Sequence, residues 1–175
     1  MIYVTLRVSM KSTLKSLFKT DSPDVTELLK AIQANPADDS MARFMPEPAW
    51  QVLAGYLDVE SIQRGHILTA MGALDRTVYF LESGTLRIHY SKDPGQVVVA
   101  TLRAGSVVGE GAFFSQLERN ATVQAMTLCR VWSLTPARFE DLRKQNVDVA
   151  LSLVMALGAA VASRMLDVTK RAVVT

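Results

Sequence analysis

Cysteine is almost missing from this chain. Cys129 is the single one in 175 residues, which excludes an internal disulfide framework and leaves no set of thiolates for zinc or an iron–sulfur cluster. A reducing compartment, the cytoplasm, suits such a sequence. Charge of one sign is also scarce: 19 Lys and Arg against 17 Asp and Glu leave a net charge of +2, too weak a field to argue for nucleic acid, although a local anion pocket is still allowed. Long hydrophobic runs are lacking too. The longest, Val149 to Ala162, is interrupted by Ser152 and is shorter than the roughly 20 residues a membrane span needs. It therefore reads as a core or subunit-interface helix, and no membrane partner is expected. With no nucleophile–base pair, no metal cluster and no second phosphate loop in view, the sequence argues against an enzyme.

What is present suffices for one domain with a proper core and terminal extensions. Residues 1–20 form a basic extension in which Arg7, Lys11, Lys15 and Lys19 occur without an acid. Transit peptides share that bias, but no cleavage signal or long apolar segment accompanies it. Residues 21–58 read as N-terminal helices. In the first, Ser22 serves as cap with Pro23 in the first turn, and Val25, Leu28, Leu29 and Ile32 follow at helical spacing, ending near Asn35-Pro36. A second is expected from Pro46 through Trp50, Leu53 and Tyr56.

Over 59–135 the period becomes strand-like. Strands are predicted at 59–63, 67–70, 78–82, 86–90, 97–102, 121–127 and 129–134. The turns between them, Arg64-Gly65, Ser83-Gly84, Asp93-Pro94-Gly95 and Ala104-Gly105, supply positive φ or a preset proline φ. Many short strands so joined predict a mainly β fold with flanking helices, a sandwich or barrel of the jelly-roll (double-stranded β-helix) kind. From 136 to 175 the chain is helical again: Thr135 caps and Pro136 opens one helix, and a last helix runs from about Val147 to Arg171. In that helix Val147, Leu151, Val154, Gly158, Val161, Met165 and Val168 recur at steps of four and three. The pattern reads either as a seam for a homodimer, with Gly158 permitting close approach, or as a face packed on the chain's own β region.

The organising stretch is 105–123, GSVVGEGAFFSQLERNATV. A Gly-Glu-Gly-Ala turn lies nine residues ahead of Arg119, and a short helix about Phe113-Phe114 and Leu117 would aim its first amides at an anion. The Glu110 carboxylate is an acceptor suited to sugar hydroxyls, and the Arg119 guanidinium is a planar fork suited to phosphate oxygens.

Set in this order, Val78-Tyr79-Phe80-Leu81 before Ser83-Gly84, then Gly105, Gly109-Glu110 with Ala112, and Arg119 with Ala121-Thr122 resemble the cyclic nucleotide-binding domains of catabolite activator proteins, kinase regulatory subunits and gated channels. The resemblance covers roughly Ala49 to Asp167. It implies a β-barrel closed by the long C-terminal helix, with no catalysis and no cofactor, and a ligand that is cyclic AMP or, second, cyclic GMP. It also implies that Glu110 takes the ribose 2′-hydroxyl and Arg119 the cyclic phosphate, with Val108, Gly109, Gly111, Ala112, Asn120 and Ala121 completing the site. The helix Val147–Val168 would close over the base and pair two subunits. An effector domain or partner protein would read the change, with no direct DNA binding by this chain, since 175 residues leave no room for a DNA-binding domain after that helix.

Three positions depart from the family pattern. Gly111 stands in place of a larger apolar residue, Glu118 could compete for the Arg119 guanidinium, and the Asn120 amide leaves the choice of base open. An alternative function is a non-binding module for dimerisation or scaffolding, with Glu110 and Arg119 joined in a salt bridge across an empty pocket. His66 and His89 read as strand or turn residues; a haem-sensing role would need one as an axial ligand, with no second ligand evident. Cys129 reads as a small buried residue, Trp50 and Trp132 as core or rim aromatics, and Arg143-Lys144 as a solvated pair near a helix end.

Overall fold

The computed structural model of the chain describes residues 23–37, 39–91 and 96–173. The basic extension, the Ser22 cap and the Asp93-Pro94-Gly95 turn lie outside the described residues. Helix α1 is Thr26–Ala34. It starts later than Pro23, because Asp24 Oδ1 accepts the Thr26 amide at 3.0 Å and stops the chain from turning helical earlier. Its buried face is Leu28, Leu29 and Ile32, as the spacing predicted. A 3-10 turn at Met41–Arg43 was not anticipated. Buried Ser40 creates it, accepting the Ala42 amide at 3.4 Å and donating to Ile32 O at 3.0 Å. Helix α2, Glu47–Ala54, follows Pro46 as expected.

Eight strands follow: β1 Asp58–Ile62, β2 Ile67–Thr69, β3 Val78–Ser83, β4 Thr85–Ser91, β5 Gln96–Arg103, β6 Val107–Val108, β7 Thr122–Ala125 and β8 Cys129–Leu134. Seven match the predicted strands to within two residues at either end; β6, two residues long, is too short to show a period. The strands pair antiparallel in two sheets, β1-β8-β3-β6 and β2-β7-β4-β5. Among the described residues no strand pairing joins the sheets, so the expected closed barrel is instead a pair of packed sheets. The short strands β2 and β6 sit at sheet edges and offer too few backbone groups to carry a ladder across.

The period of two divides the first sheet between two cores. Leu81, Val108, Cys129 and Val131 pack with Leu86, Val123 and Ala125 of the second sheet. Val78, Phe80, Val107, Trp132 and Leu134 pack on the helices, where Trp50 meets Phe80 edge-on at 5.4 Å between ring centroids. Both tryptophans are fully buried, and Trp132 Nε1 donates to Glu82 Oε2 at 2.6 Å. Each such side chain removed from water contributes about 1.5–3 kcal/mol, so the sheet bearing the site is anchored on both faces.

Helix α3, Glu110–Ser115, sits between β6 and β7. Helix α4, Pro136–Gln145, begins as predicted, with Thr135 accepting the Arg138 amide at 3.3 Å, and α5 is Val147–Val173. The Tyr56 hydroxyl donates to Gln145 Oε1 at 3.1 Å and accepts from Asn146 Nδ2 at 2.9 Å, which clasps the α4–α5 junction to the end of α2. Helix α5 carries two apolar stripes. Ala150, Leu153, Leu157 and Ala160 are buried in the helical core, while Val147, Leu151, Met155 and Gly158 face outward. The seam positions are therefore a different face from the one packed on the chain itself, although Val154 and Val161 are half-buried and the Val168 side chain lies outside the described residues. Val147–Leu166 has a mean hydropathy of 1.9, enough by length and composition to cross a membrane, but its inner stripe is part of the core.

Candidate functional site

The site is built on the turn from β6 into α3. Gly109 caps α3 with φ of 95°, and a Cβ there would lie 2.5 Å from Thr77 O and 2.6 Å from Arg119 Nη1. Only glycine leaves room for the arginine to lie against this turn. Because α3 starts at Glu110, the amides of Gly111 and Ala112 have no helical carbonyl to bond. Gly105 plays a second steric part: a Cβ on it would lie 2.2 Å from Ala31 O, so its absence lets α1 lie close beside the cassette.

Arg119 is buried and held at both ends. Its backbone bonds to the β2–β3 loop, N to Ala73 O and O to Gly72 N, each at 2.8 Å. Its guanidinium donates to Asp75 Oδ2, to Thr77 O at 2.6 Å and to Gly109 O at 3.1 Å. Asp75 is in turn braced by the Thr77 hydroxyl at 2.6 Å and the Thr77 amide at 3.0 Å. Burial works against ionisation of Asp75, but the Thr77 and Arg119 hydrogen bonds and the Arg119 charge outweigh it and hold the carboxyl below the usual carboxylate range.

Glu110 is held from elsewhere. Arg164 of α5 donates from Nη1 to Glu110 Oε1 at 2.5 Å, from Nε to Asp39 Oδ2 at 2.7 Å and from Nη2 to Val107 O at 2.7 Å. Burial disfavours the Arg164 charge, and the two carboxylates more than offset that, raising its pKa above the ordinary arginine range. Two atoms are left over. Arg119 Nε and Glu110 Oε2 are buried without a hydrogen-bond partner, one a donor and the other an acceptor.

Both residues line a cavity of about 1120 Å³, a volume on the scale of small-molecule sites. All eight sequence-predicted positions, Val108, Gly109, Glu110, Gly111, Ala112, Arg119, Asn120 and Ala121, line it. Glu110 and Arg119 are not joined in a salt bridge, and Glu118 is exposed and does not bond Arg119. A Cβ on Gly111 would meet nothing within 4 Å, so no close approach requires a glycine at that position. Sequence reasoning missed Asp75, Thr77, Asp39 and Arg164. Arg164 had a signal: it falls four residues beyond Ala160 on the inner stripe of α5, a lone cation in line with Leu153 and Leu157. Among the described residues no cluster of His, Cys, Asp and Glu fits a metal ion, and His89 is buried with neither ring nitrogen bonded.

A family model described as cyclic nucleotide-binding domain matches residues 59–146. The chain is similar to the cAMP-dependent protein kinase regulatory subunit of Debaryomyces hansenii, 34% identical over 100 residues, with 57% of this chain and 22% of that protein covered. It is also similar to the cAMP-activated global transcriptional regulator Vfr of Pseudomonas aeruginosa, 28% identical over 100 residues, with 54% and 45% covered. It thus spans less than half the length of these two relatives. The crystal structure of a cyclic nucleotide-binding domain from Methylobacillus flagellatus shares the fold with a TM-score of 0.71, at 15% identity over 83% of this chain and 80% of that one.

Proposed function

Since this chain belongs to the cyclic nucleotide-binding domain family, we propose that it is a sensor that binds cyclic AMP between Arg119 and Glu110 and passes occupancy to its C-terminal helices. The observation that carries this reading is that two residues lining one cavity, Arg119 and Glu110, each keep one buried polar atom, Nε and Oε2, without a partner. A buried donor or acceptor without a partner is costly, about 1–3 kcal/mol each. A single ligand with an anionic oxygen and a hydroxyl group satisfies both. A cyclic phosphate on Arg119, with the amides of Gly111 and Ala112 beside it, and a ribose 2′-hydroxyl donating to Glu110 have that chemistry. The carboxylate faces the sugar in this arrangement, which relieves its repulsion of the phosphate. Cyclic AMP is favoured over cyclic GMP because both relatives above are named for cAMP.

Coupling runs through Arg164. A ligand hydroxyl on Glu110 shares its carboxylate with a guanidinium carried by α5, so occupied and empty states hold α5 differently. The Tyr56 clasp at the α4–α5 junction makes that junction the natural pivot. We further propose that the outer stripe of α5 pairs two chains. Glycine at 158 costs about 1 kcal/mol in a helix interior, and within one chain nothing crowds it, so close approach of a second helix gives it a reason. The occupied dimer would act through an effector domain or partner protein in the cytoplasm.

Calorimetric titration of cyclic AMP and cyclic GMP into the protein tests the reading. Saturable heat at one nucleotide per chain is expected, stronger for cyclic AMP. No heat from either nucleotide overturns it in favour of a non-binding scaffold.

A further inference from the structure

The turn from α1 to the 3-10 helix is not part of the cassette, yet it lines the same cavity as Glu110 and Arg164. Asn35 Oδ1 accepts the Ala37 amide at 3.1 Å, the Ser40 amide donates to Ala37 O at 3.0 Å, and the Ser40 hydroxyl is tied to Ile32 O. These bonds tie down the described residues on either side, and Asp39 meets Arg164 Nε with only 19% of its side chain exposed. Asp39 itself lines the cavity.

The consequence lies in how an arginine meets a carboxylate. Left to itself, a guanidinium binds a carboxylate with two parallel hydrogen bonds, one to each oxygen. Here that does not happen. The Arg164 Nε is engaged by Asp39 and one Nη by Val107 O, so the other Nη takes a single oxygen of Glu110 and leaves Oε2 free.

We propose that Asp39 is a positioning residue that, by holding Arg164, keeps Glu110 Oε2 available and so sets the preference for a ribose over a deoxyribose ligand. This rests on the cyclic nucleotide reading above. Without Asp39 the guanidinium turns to bind both oxygens of Glu110 and competes with the 2′-hydroxyl. A nucleotide lacking that hydroxyl has nothing to lose at Oε2. Cyclic AMP and 2′-deoxy cyclic AMP carry the same phosphate, so the ratio of their affinities cancels any general effect of removing a negative charge beside an anion site.

The test is to measure both affinities by calorimetry for the wild type, Asp39→Ala and Asp39→Asn. The wild type is expected to prefer cyclic AMP by about tenfold or more, the scale of one hydrogen bond to a charged group. In Asp39→Ala that ratio should fall by about tenfold toward one through weaker cyclic AMP binding alone. Asp39→Asn keeps an acceptor in the same place and should recover part of the preference. A wild-type ratio that persists in Asp39→Ala, both affinities falling together, or an Asn variant no better than the Ala variant overturns the role of Asp39. A wild type that binds neither nucleotide overturns the function proposed above, and this inference with it.

Discussion

Glu110 and Arg119 line one cavity without pairing, because each is held by a different partner: Arg119 by Asp75, Thr77 and Gly109, and Glu110 by Arg164. An empty pocket sealed by its own ion pair would have shown the opposite. The two functional groups are instead braced apart, each keeping one buried atom unpartnered.

Arg119→Ala removes the guanidinium that the ligand phosphate meets. A hydrogen bond to a charged group is worth about 1.5–3 kcal/mol net, so cyclic AMP affinity should fall roughly 10- to 100-fold. Calorimetry on the variant checks this, and an unchanged affinity removes Arg119 from the site.

Gly109 and Gly111 should respond in opposite ways. Gly109→Ala forces a side chain into a positive φ and against Thr77 O and Arg119, destabilising the fold by about 2 kcal/mol or more. Gly111→Ala enters open space inside α3 and should be neutral or stabilising by up to about 1 kcal/mol. Denaturant unfolding of the two variants compares them directly.

The Asp75 carboxyl gives a pH signature. Its folded pKa lies below the unfolded value of about 3.9, so its stabilisation is complete above that pH and is lost as pH falls through the folded pKa. The melting temperature of Asp75→Asn should sit below wild type by a constant gap between about pH 5 and 8, and the gap should close below about pH 4. A gap that widens in acid contradicts the assignment.

Much of this was legible in the sequence because it depends on local rules. Seven strands, the Pro136 helix and the Gly109-Glu110 turn follow from period, turn residues and caps. Two kinds of feature were not. β6 is too short for a period, and it was visible only through its pairing of Val107 and Val108 with Phe80 and Tyr79. Asp75 lies 44 residues from its partner Arg119, Arg164 lies 54 from Glu110 and Asp39 lies 125 from Arg164, and no spacing rule links partners that only the fold brings together.

The outer stripe of α5 carries the dimer proposal. Leu151 is 58% exposed, so Leu151→Glu should leave the fold intact while converting a wild-type dimer to monomer in sedimentation. A monomeric wild type removes the dimer claim and leaves the ligand site standing.

The most direct test of the central claim is a crystal structure of the protein saturated with cyclic AMP. The account predicts a cyclic phosphate oxygen within about 3.2 Å of Arg119 Nε and the ribose 2′-hydroxyl at a similar distance from Glu110 Oε2. A nucleotide bound away from these two atoms, or with its base in their place, would contradict it.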